Sequence, residues 1–299
     1  MPLTQTLRLN SSPLPESKSP GPTPVAERVR HKRVRTTGWF ELRRDIPSWA
    51  YKLLAALSFL GVLAGWAWLS HQSFVNPIFL PTPERVLDAV RTLLADQYLW
   101  GDLKISLFRV TTGFLLSAVI AVPLGICLGS FKTLEGIFQP VTEFVRYVPV
   151  PALIPMVMLC FGIGEMAKVM LIFVGTFFQL LLMVADEIRR VQYDLLQVSY
   201  TLGARRGEVL RKVIWPAAKP GIFDALRLCN GWAWTYLVVA ELIAANAGLG
   251  YRILKFSRFL QTPKIIVYLF ILGCIGLTLD LAFRKINARL FHWADTTKR

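Results

Sequence analysis

Charge is scarce in this sequence: acidic and basic residues make up 18% of 299, against about a quarter in an ordinary soluble domain. The charges cluster in short stretches and leave long runs without any, residues 169–185 among them. A soluble helical bundle needs a polar face recurring at a 3.6-residue period, and such runs lack one. Histidine is also rare, with only His31, His71 and His292, widely scattered, so no metal site can be assembled from them. The four cysteines, Cys127, Cys160, Cys229 and Cys274, show no C-x-x-C spacing and all lie in apolar segments. They read as small residues of a membrane core, not as disulfides or metal ligands. No Gly-Lys dipeptide occurs anywhere, which removes the P-loop that would cradle nucleotide phosphates. H-E-x-x-H and a Ser/Lys dyad are missing too, which argues against an intramembrane enzyme. No cofactor is expected. Duplicated halves with matching broken helices, common in secondary transporters, are not visible, though a transporter of that class or a channel is the competing reading.

What the sequence has is apolar residues, 54% of the chain, in runs of membrane-spanning length. Six spans are expected, at 53–69, 107–128, 137–160, 167–184, 221–245 and 265–282. Between the first two, residues 84–95 carry Val86, Leu87, Val90, Leu93 and Leu94 at helical spacing and predict a short amphipathic helix. Residues 1–45 are rich in Pro, Ser, Thr and Arg, and read as a disordered basic cytoplasmic tail preceding a transmembrane domain at 46–299. No apolar run follows a short basic start, so the tail does not read as a secretory signal.

The net charge of +15 raises nucleic acid as a partner, and its placement rejects it: the cations flank apolar runs and do not interleave with stacking aromatics. With both termini inside, the inside segments hold twenty-three lysines and arginines and the outside segments eight. That bias predicts six spans with both ends cytoplasmic.

The longest inside segment, 190–217, carries the most information. Leu195, Val198 and Leu202 are spaced as on a helix that breaks at Gly203, and a second short helix is expected over 206–214, stopping at Trp215-Pro216. Two short helices joined at a glycine make a knob suited to a groove on a partner. This loop resembles the coupling loop of ABC importer permeases, with the pattern E-A-A, three residues, G, nine residues, I-x-L-P. Gly203 takes the glycine and Val213-Ile214-Trp215-Pro216 the final block, while Gln197-Val198-Ser199 stands where the family has E-A-A. Gln197, Val198, Ser199, Gly203, Ala204, Val213 and Pro216 are the coupling residues this resemblance implies.

The resemblance runs over roughly residues 75–285. It includes Leu80-Pro81-Thr82-Pro83, the segments 106–114 (SLFRVTTGF), 151–168 and 226–241, the run 244–251 and Phe259-Leu260-Gln261-Thr262. These blocks are similar to the sulfonate, taurine and nitrate permeases, most of all the aliphatic sulfonate and taurine branch. What it implies is an all-α membrane protein of type I ABC importer permease architecture. It also implies a homodimer of this chain in the lipid bilayer, two cytoplasmic ABC ATPase subunits and a periplasmic solute-binding protein. The cargo would be a small anion; bicarbonate, cyanate or a pyrimidine precursor is the alternative.

Polar groups inside spans are costly in hydrocarbon and usually face the protein interior. Span five has Asp224, Arg227, Asn230, Thr235 and Glu241, and span three has Glu143, Arg146, Pro149, Pro151 and Pro155. Arg227 and Glu241 fall about 40° apart on a helix wheel. Arg146, Pro151, Pro155, Arg227, Asn230 and Glu241 are therefore the candidates for a translocation pathway, with an arginine offering positive potential to an anion. The competing reading makes Asp224–Arg227 a structural pair at the cytoplasmic end and Arg146 a snorkelling side chain.

Overall fold

The computed structural model describes residues 46–72 and 76–293, so the tail assigned to 1–45 lies outside the described residues. All regular structure among them is helical. Two compact units divide between Phe59 and Leu60, inside α1 (Ser48–His71). The helices that follow in the second unit are α2 (Pro83–Leu94), α3 (Gln97–Ser130), α4 (Lys132–Arg146), α5 (Ile154–Phe161) and α6 (Glu165–Arg189). They continue with α7 (Tyr193–Thr201), α8 (Arg206–Val209), α9 (Trp215–Ala244), α10 (Leu249–Arg258) and α11 (Thr262–Leu290).

Among the described residues four helices, α1, α3, α6 and α11, are long and apolar enough to cross a membrane. The expected third span, 137–160, is broken: α4 and the segment 150–161 meet at 93° and make a fifth crossing only if taken together. Proline is the cause. Pro149 and Pro151 supply no N–H, and proline disfavours the α region at Val148, so the helix stops at Arg146 and restarts through a 3₁₀ turn at Val150–Leu153. The 30-residue α9 has the length of a span but carries Asp224, Arg227 and Glu241, which dilute its apolar character.

The core of the second unit is the pairing of α3 with α6, extended by α9. Along α3 small residues recur at every fourth position, Gly113, Ser117, Ala121, Gly125 and Gly129, and form the ridge pressed against α6. Ile172, Leu180, Val184 and Ala185 of α6 are fully buried. The other faces are apolar and exposed, with Val119 on α3 and Phe270 and Leu277 on α11 all more than half exposed. Water would penalise such a surface; acyl chains accept it.

The second helix of the 190–217 segment does not stop at Trp215-Pro216 as expected. It passes through a π turn at Leu210–Ile214 directly into α9. A proline inside a continuous α-helix clashes with the carbonyl four residues back, and the wider π turn placed just before Pro216 relieves that contact.

Candidate functional site

Three polar constructions stand out from the apolar helices, and each begins from local sequence.

The first is the loop between α6 and α9. Helix α7 ends in a paired hydrogen-bond closure in which Ala204 N donates to Ser199 O (3.0 Å) and Gly203 N to Tyr200 O (2.9 Å). This closure places Gly203 at φ +83°, a left-handed conformation that glycine adopts without penalty. Glu208 accepts from the Arg205 backbone N–H at 3.1 Å and starts α8. That amide, helped by the Lys212 ammonium 3.0 Å away, holds the Glu208 carboxyl below the usual carboxylate range. Val198 and Leu202 are exposed, Leu202 by 82%, although the flanking Arg189, Arg190, Arg205 and Arg206 rule out a setting in hydrocarbon. Gln197 and Ser199 are on α7, Val213 in the π turn, and Pro216 in the first turn of α9.

The second is a buried ionic cluster that the sequence reading missed. Asp102, Ser106 and Arg109 lie at i, i+4 and i+7 on one face of α3 and are each 2% exposed or less. Arg109 forks onto Glu165, with Nε to Oε2 at 2.6 Å and Nη2 to Oε1 at 2.7 Å. Its Nη1 donates to Glu241 Oε1 and to Ala247 O, both at 2.7 Å. Lys168 adds a second cation to Glu165 at 2.8 Å. Ser106 donates to Glu241 Oε1 (2.7 Å), and Gly250 N to its Oε2 (2.8 Å). Asp102 accepts from Gly248 N (2.9 Å) and Arg252 Nε (2.5 Å). Three cations face three carboxylates, and the loop between α9 and α10 is pinned onto α3, which Arg109 ties in turn to Glu165 of α6. Gly248, at φ +123°, is required there because a Cβ would run into Glu241 and into Arg109 Nη1. The polar face of α3 was the available signal. Its partners lie more than fifty residues away in sequence, and only the fold reveals them.

The third concerns the remaining polar residues of the spans. Arg227 is 3.2 Å from Asp280 and 3.3 Å from Asp224, with Asn287 donating to Asp224 at 3.1 Å. Arg227 and Glu241, which the helix wheel put on nearby faces, thus belong to different clusters. Asn230 is half-buried and Pro151 and Pro155 are exposed. Arg146 ends α4 at the bend and borders a cavity of about 270 Å³ shared with Gln179 and Tyr236.

Residues 121–292 match the family described as "Binding-protein-dependent transport system inner membrane component". The chain belongs to this family. It is the membrane permease of an ABC transporter, and is similar to the taurine transport system permease protein TauC of Escherichia coli K12. The two are 33% identical over 78% of this chain and 86% of that one. It is also similar to the putative aliphatic sulfonates transport permease protein SsuC of Bacillus subtilis 168, 34% identical over 79% and 85% of the two chains. Among solved structures, inward-facing conformations of the MetNI methionine ABC transporter superpose with a TM-score of 0.60 at 20% identity. They cover 64% of this permease and 95% of that chain, a likeness of fold alone. The resemblance drawn from the loop and its flanking blocks is thereby borne out, and so is the all-α permease class. The knob occupies the stretch of this permease where the family resemblance places the coupling loop.

Proposed function

We propose that this permease is one half of a homodimer that passes a small anion, a sulfonate, taurine or a nitrate-like ion, into the cytoplasm. A periplasmic binding protein delivers the anion, and two separate ATPase subunits drive the step. In this reading α1, α3, the bent α4–α5 pair, α6, α9 and α11 are the six spans, with both termini cytoplasmic. The observation that carries it is the glycine-capped knob, which exposes Val198 and Leu202 outside the apolar zone, where a protein groove can cover them. Gln197, Val198, Ser199, Gly203, Ala204, Val213 and Pro216 make up the docking element. The bent segment with Pro151 and Pro155, together with α9 and Asn230, lines the route, because irregular backbone at membrane depth belongs next to a cavity. Arg227 and Glu241, both held by ion pairs, act there as braces for α9.

The test is Gly203→Pro. Proline cannot reach φ +83° and removes the N–H that closes α7, while no span is touched. Co-purification of the ATPase subunits should drop by about tenfold or more with membrane insertion unchanged. Undiminished co-purification would show that the knob is not the docking element. Growth of a deletion strain on taurine, an alkanesulfonate or nitrate as sole sulfur or nitrogen source then narrows the cargo.

A further inference from the structure

We propose that Arg146, Gln179 and Tyr236 form a mid-membrane contact site for an organic anion with one oxyanion head and a short apolar body. The inference rests on the importer reading above and deepens it. The cations of the spans are not equivalent. Arg109 and Lys168 are neutralised by Glu165 and Glu241, and Arg227 by Asp224 and Asp280. Arg146 alone among these has no carboxylate within ion-pair distance among the described residues. Glu143, one turn earlier on α4, accepts instead from Gln139 at 2.7 Å. The Arg146 guanidinium is held by Tyr147, whose hydroxyl lies 3.1 Å from Nη2 and whose ring centroid is 4.9 Å from the guanidinium carbon. That contact orients the charge without cancelling it.

The cavity beside it is about 270 Å³, at the small end of ligand sites, and no acidic residue lines it. Its lining includes Gln179 and Tyr236, neither of whose side chains has a hydrogen-bond partner in the protein among the described residues. Leu153 and Phe178 add apolar surface to the same lining. A guanidinium with unspent donors in a lining that is otherwise partly apolar suits a charged head joined to a short hydrocarbon better than a fully hydrated inorganic ion. Depth agrees with a route. Gly175 and Gln179 lie about 15 and 21 Å along α6, whose length is about 37 Å, so the cavity sits near the middle of the helix. Tyr236 is fixed by packing: a Cβ at Gly175 would come within 2.6 Å of its ring.

The experiment uses the permease reconstituted with its ATPase subunits and binding protein in proteoliposomes, with labelled ethanesulfonate and bicarbonate as probes. Arg146→Gln should lower the maximal rate of ethanesulfonate uptake by about tenfold, the loss of one charge-assisted contact. The half-saturating concentration, set by the binding protein, should not move, and Arg146→Lys should recover part of the rate. Should Arg146→Gln fail to assemble, Tyr236→Phe and Gln179→Leu take its place, each with a few-fold loss of rate. Normal uptake in the assembled Arg146 variant, or in both substitutes, overturns the site and leaves the importer reading standing. Bicarbonate transport by the wild type without ethanesulfonate transport overturns the organic-anion class. A wild-type complex that moves no anion, sulfonate or inorganic, overturns the importer reading for anions and this site with it.

Discussion

Arg109→Met should cost the folded permease about 3–5 kcal/mol, the range seen when one partner of a buried ion pair is removed. Glu241 is fully buried and would keep only the hydroxyl of Ser106 and the N–H of Gly250 to balance its charge. Glu165 would retain Lys168, and its side chain is 48% exposed, so water can share the burden there. Ala247 O would lose its donor, and the loop that pins α10 to α3 would loosen. The damage should therefore be concentrated at Glu241, which permits a sharper measurement than a single variant. Replacing Glu241 by Gln in the Arg109→Met background removes the stranded charge while keeping an acceptor for Ser106. The double variant should be more stable than Arg109→Met alone, with a coupling of about 0.5–3 kcal/mol between the sites. Thermal unfolding of the detergent-solubilised proteins in a double-mutant cycle reads this directly. Equal midpoints for Arg109→Met and the wild type would mean that the cluster is hydrated and carries no structural load.

The same cluster shows what a single sequence reveals and what it hides. The runs that became α1, α6 and α11 were legible because apolar length is a local property. So was the break at Gly203, since a helical pattern ending in glycine identifies its own cap. The start of α3 was not: the span was expected from 107, yet the helix begins at Gln97. Asp102 lies in the added stretch. In the fold its charge is met by Arg252, 150 residues later, and its side chain is buried although Tyr98, Trp100 and Gly101 around it are exposed. Glu165 and Lys168 were hidden for the same reason, as ends of a turn in one dimension and partners of Arg109 in three. The sharp bend at 147–149 was only half legible. Its prolines are plain in the sequence, but the 93° angle at which the two helical pieces meet is not. Ion pairing and bend angle both depend on distant packing, which no window along the chain contains.

The α3–α6 contact leads to the other large expectation, a failure of Gly125→Leu to yield an assembled permease. The ridge Gly113, Gly125, Gly129 lets the two backbones approach closely. A Cβ at Gly125 would lie 2.7 Å from Val184 Cβ and 2.8 Å from Leu181 O, and one at Gly129 only 2.6 Å from Ala185 O. A flexible side-chain end can yield to such an intrusion, but a carbonyl in the middle of a helix cannot yield without moving the helix. In lipid, where apolar side chains gain little by leaving acyl chains, close packing of small residues is a main source of helix association. Pushing α6 away would forfeit it along the whole contact, and would also draw Glu165 and Lys168 away from Arg109. Even Gly125→Ala should lose about 1–3 kcal/mol by overpacking. Gly136 supplies the control, since it also lies in a helix but a Cβ there meets nothing within 4 Å. Gly136→Ala should leave the melting temperature of the solubilised protein unchanged or slightly raised, by alanine's better helix propensity. If the Gly125 and Gly136 alanine variants melt together, the close approach of α3 and α6 is wrong, and the geometry of the ionic cluster built on it falls too.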